Sequence, residues 1–143
     1  MTVELAVIGA GPAGMGAAVL AAELGLETVL IDEQVAPGGQ IYRAIERAEP
    51  GTPLGPDYLA GRPLVAAFRA SNVDYRSGTT LWHVDPEGAL FLETAGRTET
   101  LTARRILLAT GAFERPVPIL GWTLPGVMTA GTAPARACCA APR

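Results

Sequence analysis

Val3, Leu5, Ala6, Val7 and Ile8 form a short apolar run that stops at Gly9. A run of that length, closed by glycine, predicts a strand buried on both faces. Pro12 to Leu24 is rich in alanine and leucine and predicts a helix. Gly25 suits its C-terminal stop. Thr28 to Ile31 is β-branched and apolar, a second buried strand that ends at Asp32. Strand, helix and strand within about 30 residues make a βαβ unit with a right-handed crossover.

From Glu33 to Asp57 the pattern dissolves among Pro37, Gly38, Gly39 and further prolines and glycines. A short helix over Arg43 to Ala48 fits inside this stretch. Pro63 to Ala70 reads as another helix, with Leu64, Ala67 and Phe68 on one face. Val73 to Arg76 reads as a short strand. Three strand-like runs follow: Thr80 to Val84, Ala89 to Thr94 and Thr98 to Thr102. Their joints, Asp85-Pro86-Glu87-Gly88 and Ala95-Gly96-Arg97, are turn-like. Joints this short predict an antiparallel meander. Ile106 to Ala109 is a last apolar strand that runs into Thr110 and Gly111. Beyond it, Pro116, Pro118 and Pro125 mark a surface loop. Thr132 to Arg143 has no periodicity and is expected to be disordered. The fold class is therefore α/β: a parallel sheet with helices, plus a meander.

Composition narrows the class. The chain has 143 residues, 49% hydrophobic and 17% charged, with mean hydropathy +0.27. That suits one globular domain and excludes general disorder. A net charge of -3 and a pI near 5.1 argue against nucleic acid or an anionic membrane as partner. The longest apolar stretch, Ala13 to Ala22, is about half a membrane span. No leader pattern surrounds Val3 to Ile8, so a cytoplasmic protein is expected. Cys138 and Cys139 are adjacent and no CxxC occurs, so neither a disulfide framework nor a zinc site is expected.

The strongest chemical signal is Gly9-Ala10-Gly11-Pro12-Ala13-Gly14. Gly9 permits a tight turn out of the strand, Gly11 lets backbone approach a pyrophosphate, and Gly14 lets the helix lie close to the strand. The helix N-terminus then presents free N–H groups and its positive dipole end to phosphates. Asp32 lies 18 residues after Gly14, where a carboxylate can accept both hydroxyls of an adenosine ribose and repel a 2′-phosphate. Glu33 is counted beside it as a candidate contact, although a solvated loop charge is its plainer role. Two further segments bear on which dinucleotide is bound. Gly38 and Gly39 let backbone run beside a long cofactor, with the Gln40 amide next to them. Ala109, Thr110 and Gly111 follow a buried strand, at the end where open α/β sheets bind ligands. Each of these two segments alone also reads as an ordinary turn; their order after the glycine motif favours FAD over NAD.

The stretches VIGAGPAGMGAA, IDEQVAPGGQIYR and LLATGAFERPVPILGWTLPGVMTAG resemble the N-terminal part of the two-dinucleotide-binding flavoproteins, the relatives of thioredoxin reductase and the pyridine nucleotide-disulfide oxidoreductases. The wording is most similar to the amine-oxidising branch: the A subunit of opine oxidase, the B subunit of hydrogen cyanide synthase and the α subunit of sarcosine oxidase. The resemblance runs from about Val3 to Gly131. It implies a Rossmann-like FAD-binding fold over residues 1–131, with residues 132–143 as an off-pattern tail. It implies that Gly9, Gly11, Pro12, Ala13 and Gly14 lie on the FAD pyrophosphate and Asp32 on the ribose. Gly38, Gly39 and Gln40 would run beside the cofactor, Ala109, Thr110 and Gly111 would pack against it, and adenine would meet backbone near Leu81. Such enzymes take a hydride from an amine carbon onto the flavin, usually as one subunit of a complex. Members are several hundred residues long, so the chain reads as truncated and incomplete for catalysis. Any NAD(P) site would lie outside it.

No nucleophile–base pair or metal-ligand cluster is visible, and catalytic residues stay unassigned. His83, the single histidine, is expected to be a partly buried structural residue, Trp82 and Trp122 packing or cover residues, and Arg43, Arg104 and Arg105 solvated. Two other readings stand beside the oxidoreductase: a non-catalytic FAD-binding remnant, and a simple NAD-binding Rossmann domain.

Overall fold

The structure is a computed structural model that describes residues 2–48, 55–113, 115 and 117–128. Pro116, Cys138, Cys139 and the 132–143 tail lie outside the described residues. Six strands, β1 (Thr2–Ile8), β2 (Thr28–Asp32), β3 (Asp74–Ser77), β4 (Thr79–Val84), β5 (Ala89–Thr94) and β6 (Arg97–Leu108), form one sheet in the order β3-β2-β1-β6-β5-β4. The helices are α1 (Pro12–Glu23), α2 (Gly55–Leu59) and α3 (Arg62–Ala70). No helix among the described residues is long and apolar enough to cross a membrane.

The β3-β2-β1-β6 half is parallel, and β4, β5 and β6 form the antiparallel meander. The two halves share β6. Residues Thr98 to Thr102 and Ile106 to Ala109, read from sequence as two strands, belong largely to one 12-residue strand. Arg104 and Arg105 interrupt the apolar pattern but not the backbone pairing: Ala103 lies opposite Val3 and Arg105 opposite Leu5. A local irregularity sits at the same level, where the N–H groups of Glu4 and Leu5 both donate to the Glu27 carbonyl (3.1 and 3.2 Å). The buried face switches there, from Leu101 and Ala103 to Ile106. Both arginines are exposed, as their charge requires.

The meander lies back over the sheet, and β4 packs against β2. Arg76 of β3 reaches Glu99 of β6 at 3.1 Å. Two apolar layers result. Val3, Ala6, Val29 and Ile31 meet Leu90 and Leu92 beneath the meander. On the other face, Val7 and Leu30 pack with Met15, Ala18, Val65 and Phe68 of α1 and α3.

Sequence and structure differ in smaller ways. The helix expected over Arg43 to Ala48 is a single 3-10 turn, Ile45–Arg47. The short α2 lay in a stretch whose prolines and glycines masked it. On α3 the buried stripe is Val65 and Phe68 with Leu64 partly covered, while Ala67 is exposed. His83 is exposed, not partly buried; a register shift on β4 between Leu81 and His83 sets it beside Phe91 and Trp82, ring centroids 5.4 and 6.0 Å away. Trp82, itself 58% exposed, lies on the outside of the meander.

Candidate nucleotide-binding site

β1 is where the strand order reverses. From it the chain passes to β2 and β3 on one side, while β6 returns on the other. The loops leaving β1, β2 and β6 therefore gather at the C-terminal end of β1, the position where open α/β sheets bind ligands. β1 and β6 end together, since the Ala109 N–H donates to the Ile8 carbonyl (2.8 Å). β2 joins them, with the Gly9 N–H on the Ile31 carbonyl (2.8 Å).

The three motif glycines have different physical reasons. Gly9 has φ +105°, and a Cβ there would lie 2.5 Å from the Ala109 carbonyl oxygen. A Cβ on Gly14 would lie 1.8 Å from the Gly9 carbonyl oxygen and 3.3 Å from the Ala109 Cβ. Gly14 thus sets the closeness of α1 to β1, as its spacing predicts. Gly11, the N-cap of α1, has an ordinary φ of -73°, and a Cβ there would meet nothing within 4 Å. The chain's own packing does not require glycine at Gly11; the space beside it is open. Pro12 opens the helix and Ala13 follows it, exposed, on the first turn. No side chain caps this helix start, so its first N–H groups face outward for an anion.

Asp32 ties the second loop to the first. Its Oδ2 accepts the Ala10 N–H at 2.5 Å and its Oδ1 accepts the Gln34 N–H at 2.6 Å. Each oxygen keeps a further lone pair, so the carboxylate can still accept from a ligand hydroxyl. It is not the free acceptor that the sequence suggests, because it also fixes the glycine turn. Ala10, which the motif leaves as a variable position, is buried and central. Its N–H goes to Asp32 and its carbonyl accepts the Gly38 N–H (2.8 Å). Only the motif spacing could have hinted at this role.

Gly38 and Gly39 return to the same place, with φ of +129° and +61°. A Cβ on Gly39 would lie 2.9 Å from the Gly11 Cα, so the glycine pair forms a wall of the cradle. Glu33 and Gln40 are exposed on the connecting stretch. Ala109 abuts Gly9 and Gly14, Thr110 follows it, and Gly111, at φ +75°, faces open space. Leu81 stands apart from these loops. Its side chain packs on the core beneath the meander, and its strand partner is Leu92. The Gly78 N–H, just before β4, donates to the Gln34 carbonyl (3.1 Å).

The cradle is an open ledge. Shallow surface cavities of about 350 and 290 Å³ lie elsewhere, beside α3. Among the described residues, no group of three or more His, Cys, Asp or Glu side chains is placed to hold a metal. The arrangement offers backbone N–H groups, one fixed carboxylate and glycine-lined clearance. Those features fit an elongated ligand with a diphosphate at the helix start and a diol at Asp32.

Known proteins resemble this chain in sequence and in fold. The profile of the pyridine nucleotide-disulphide oxidoreductase family matches residues 3–138. The opine oxidase A subunit of Agrobacterium tumefaciens is 49% identical over 140 residues, covering 91% of this chain and 28% of that protein. The HcnB subunit of hydrogen cyanide synthase from Pseudomonas aeruginosa is 37% identical over 139 residues, 92% of this chain and 29% of that protein. Among solved structures, L-proline dehydrogenase from P. horikoshii superposes with a TM-score of 0.64 at 26% identity, over 82% of this chain and 24% of that one. The chain thus spans under a third of the length of these relatives.

Proposed function

The chain belongs to the pyridine nucleotide-disulphide oxidoreductase family, and on that premise we propose that it is the FAD-binding portion of a flavin-dependent oxidoreductase of the amine- or opine-oxidising type. The observation that carries the reading is the convergence at β1: the glycine turn, Asp32, Gly38-Gly39 and Ala109-Gly111 meet around clearance at Gly11 that the fold itself does not need. Gly9, Gly11, Pro12, Ala13 and Gly14 line the pyrophosphate, with N–H groups of the α1 start donating to it. Asp32 accepts from the adenosine ribose. Gly38, Gly39 and Gln40 flank the cofactor on one side, and Ala109, Thr110 and Gly111 on the other. Glu33 and the Leu81 backbone are the outlying contacts, toward the adenosine end. The Asp32 carboxylate also disfavours NADP by repelling a 2′-phosphate. FAD, when bound, supplies two-electron redox chemistry; this chain's part is to bind and orient its adenosine and diphosphate.

The opine oxidase and hydrogen cyanide synthase relatives are subunits by name, which supports further subunits as partners here. The assigned contacts all serve the adenosine and pyrophosphate end. Hydride transfer needs the reacting ends in register, and small misplacements cost on the order of a hundredfold. The 143-residue chain should therefore bind FAD without turning over opines, sarcosine or proline. The test is flavin uptake, read as a visible flavin spectrum on the purified protein, followed by anaerobic bleaching with those substrates. Tight NADH binding without flavin uptake would favour the simple NAD-binding reading and refute this one. Steady turnover by the chain alone would refute the division of labour.

A further inference from the structure

Tyr42 stands where the Gly38-Gly39 wall of the cradle meets the helices. Its N–H donates to the Gly38 carbonyl (3.1 Å), and the Gly38 N–H donates to the Ala10 carbonyl (2.8 Å). A Cβ on Gly38 would lie 2.3 Å from the Tyr42 carbonyl oxygen, so the turn closes tightly on Tyr42. The Tyr42 side chain packs with the cluster under the helices, and Tyr58 of α2 meets its ring edge-on, 6.3 Å between centroids. Gln40, Ile41, Arg43 and Ala44 around it are exposed. Tyr42 is therefore the side chain through which this stretch is held.

Gly61 shows how closely the ring is seated. A Cβ there would lie 2.6 Å from the Tyr42 Cδ1 and 2.7 Å from its Cδ2 and Cε1. Yet the Gly61 backbone, φ -74° and ψ -16°, is an ordinary helical conformation open to any residue. Alanine is favoured over glycine in such a position, because it restricts the unfolded chain. The ring of Tyr42, not the backbone, is what requires glycine there. The residues that follow Tyr42 are fastened to α3. Ile45 is buried in one cluster with Val65, Glu46 pairs with Arg69 at 2.9 Å, and the Arg62 guanidinium donates to the Ala48 carbonyl. Tyr42 thus joins an anchored segment to a wall whose Gly39 stands so close to Gly11 that a Cβ on it would lie 2.9 Å from the Gly11 Cα.

We propose that Tyr42 is a positioning residue for the dinucleotide: its ring, seated on Gly61, fixes the wall against Gly11 and so sets the clearance in which the diphosphate lies. This deepens the nucleotide-binding reading above and rests on it. Tyr42 acts through the wall and touches no ligand itself.

Four variants separate positioning from general loosening. Tyr42→Ala removes the ring and Tyr42→Phe keeps it. Gly61→Ala displaces the ring from the α3 side. Leu90→Ala opens a cavity in the separate apolar layer beneath the meander. ADP, which carries only the adenosine diphosphate end, and FAD are titrated separately against each, at a temperature where ligand-free melts show every protein folded. Expected is a loss of about three- to tenfold in affinity for both ligands in Tyr42→Ala and Gly61→Ala, the worth of one misplaced hydrogen bond to the diphosphate. Tyr42→Phe should bind like the parent, and so should Leu90→Ala despite its lowered Tm. Parent-like ADP affinity in Tyr42→Ala, or in Gly61→Ala should Tyr42→Ala not fold, would overturn the inference. An equal loss in Leu90→Ala would make the effect one of general stability, and a loss in Tyr42→Phe would place it on the hydroxyl; either also overturns it. A parent that binds ADP but not FAD refutes the flavin reading alone, and the ADP comparison still decides Tyr42. A parent that binds neither overturns both.

Discussion

Gly11 and Gly14 are both motif glycines, yet alanine at each should act on a different quantity. At Gly11 the backbone is ordinary, φ -73° and ψ 179°, and a Cβ has open space. Alanine caps a helix less well than glycine, by about 0.5–1 kcal/mol. It also restricts the unfolded chain, which returns about 0.4–1 kcal/mol. The two nearly cancel, so the Tm of Gly11→Ala should stay within about 3 °C of the parent. The new methyl would, however, stand where a diphosphate approaches the loop. Each charge-assisted hydrogen bond lengthened out of range costs about 1.5–3 kcal/mol, roughly ten- to a hundredfold in affinity. At Gly14 the order reverses. A Cβ only 1.8 Å from the Gly9 carbonyl oxygen cannot be accommodated by rotating a side chain. α1 must withdraw from β1, an overpacking cost of about 3 kcal/mol, or roughly 6–12 °C in Tm for a chain of this size. The assay is a ligand-free thermal melt beside ADP and FAD titrations for both variants. Parent-like affinity in Gly11→Ala would mean that no diphosphate lies over this turn. Unfolding of Gly11→Ala would mean that its openness is not what keeps it glycine.

Asp32→Ala should weaken FAD by about ten- to a hundredfold and also lower Tm, because the Ala10 and Gln34 N–H groups both lose their acceptor; equal affinity on titration would show that Asp32 does not hold the ribose. Tyr75 ionises near pH 10 when unfolded and near 12 when folded, so above pH 10 the unfolded state binds fewer protons and stability falls between those values. Urea midpoints from about pH 9 to 12 should show that fall in the parent and a smaller one in Tyr75→Phe; identical profiles would place the alkaline transition elsewhere. Glu46→Gln should cost less than about 1 kcal/mol, since its ion pair with Arg69 is solvent-exposed on both sides; a larger loss in chemical denaturation would mean the pair does more than fasten the 3-10 turn to α3. Phe113, Val117, Ile119, Leu120 and Leu124 are each more than 60% exposed, so the native chain should bind ANS; its absence in native buffer would mean these residues are covered in solution.

The βαβ unit and the meander were legible because both announce themselves locally. An apolar run stopped by glycine, and strand runs joined by short turns, need no distant partner to be read. What escaped the sequence is what depends on a neighbour. Arg104-Arg105 looks like a break, since two charges end an apolar alternation; β1 supplies backbone partners on both sides of it and the strand continues. His83 sits in a strand pattern that predicts half-burial, and the register shift beside it turns it outward. The short α2 was hidden because its glycine and proline are also its first residues, where helices tolerate them.

The site shows the same division more sharply. The glycine spacing assigns Gly9 to the turn, Gly11 to the close approach of a ligand and Gly14 to helix packing, while the family resemblance sets all three on the pyrophosphate. In the structure Gly9 and Gly14 answer to Ala109 and to each other, and only Gly11 is left open. Asp32 likewise reads as a binding acid. Its hydrogen bond to Ala10, and that of Ala10 to Gly38, make it part of the loop that forms the cradle. On the proposed reading, a carboxylate in that position would act twice on a bound diol, once by accepting its hydrogen bonds and once by holding the turn that would grip the diphosphate. Replacing Asp32 therefore should not subtract one contact from an otherwise unchanged site. Its effect and that of Gly11→Ala should be non-additive in a double-mutant cycle, since both act through the same turn. Strict additivity of Asp32→Ala with Gly11→Ala would show that the carboxylate and the glycine turn contribute independently, and the clamp through Ala10 would be irrelevant to binding.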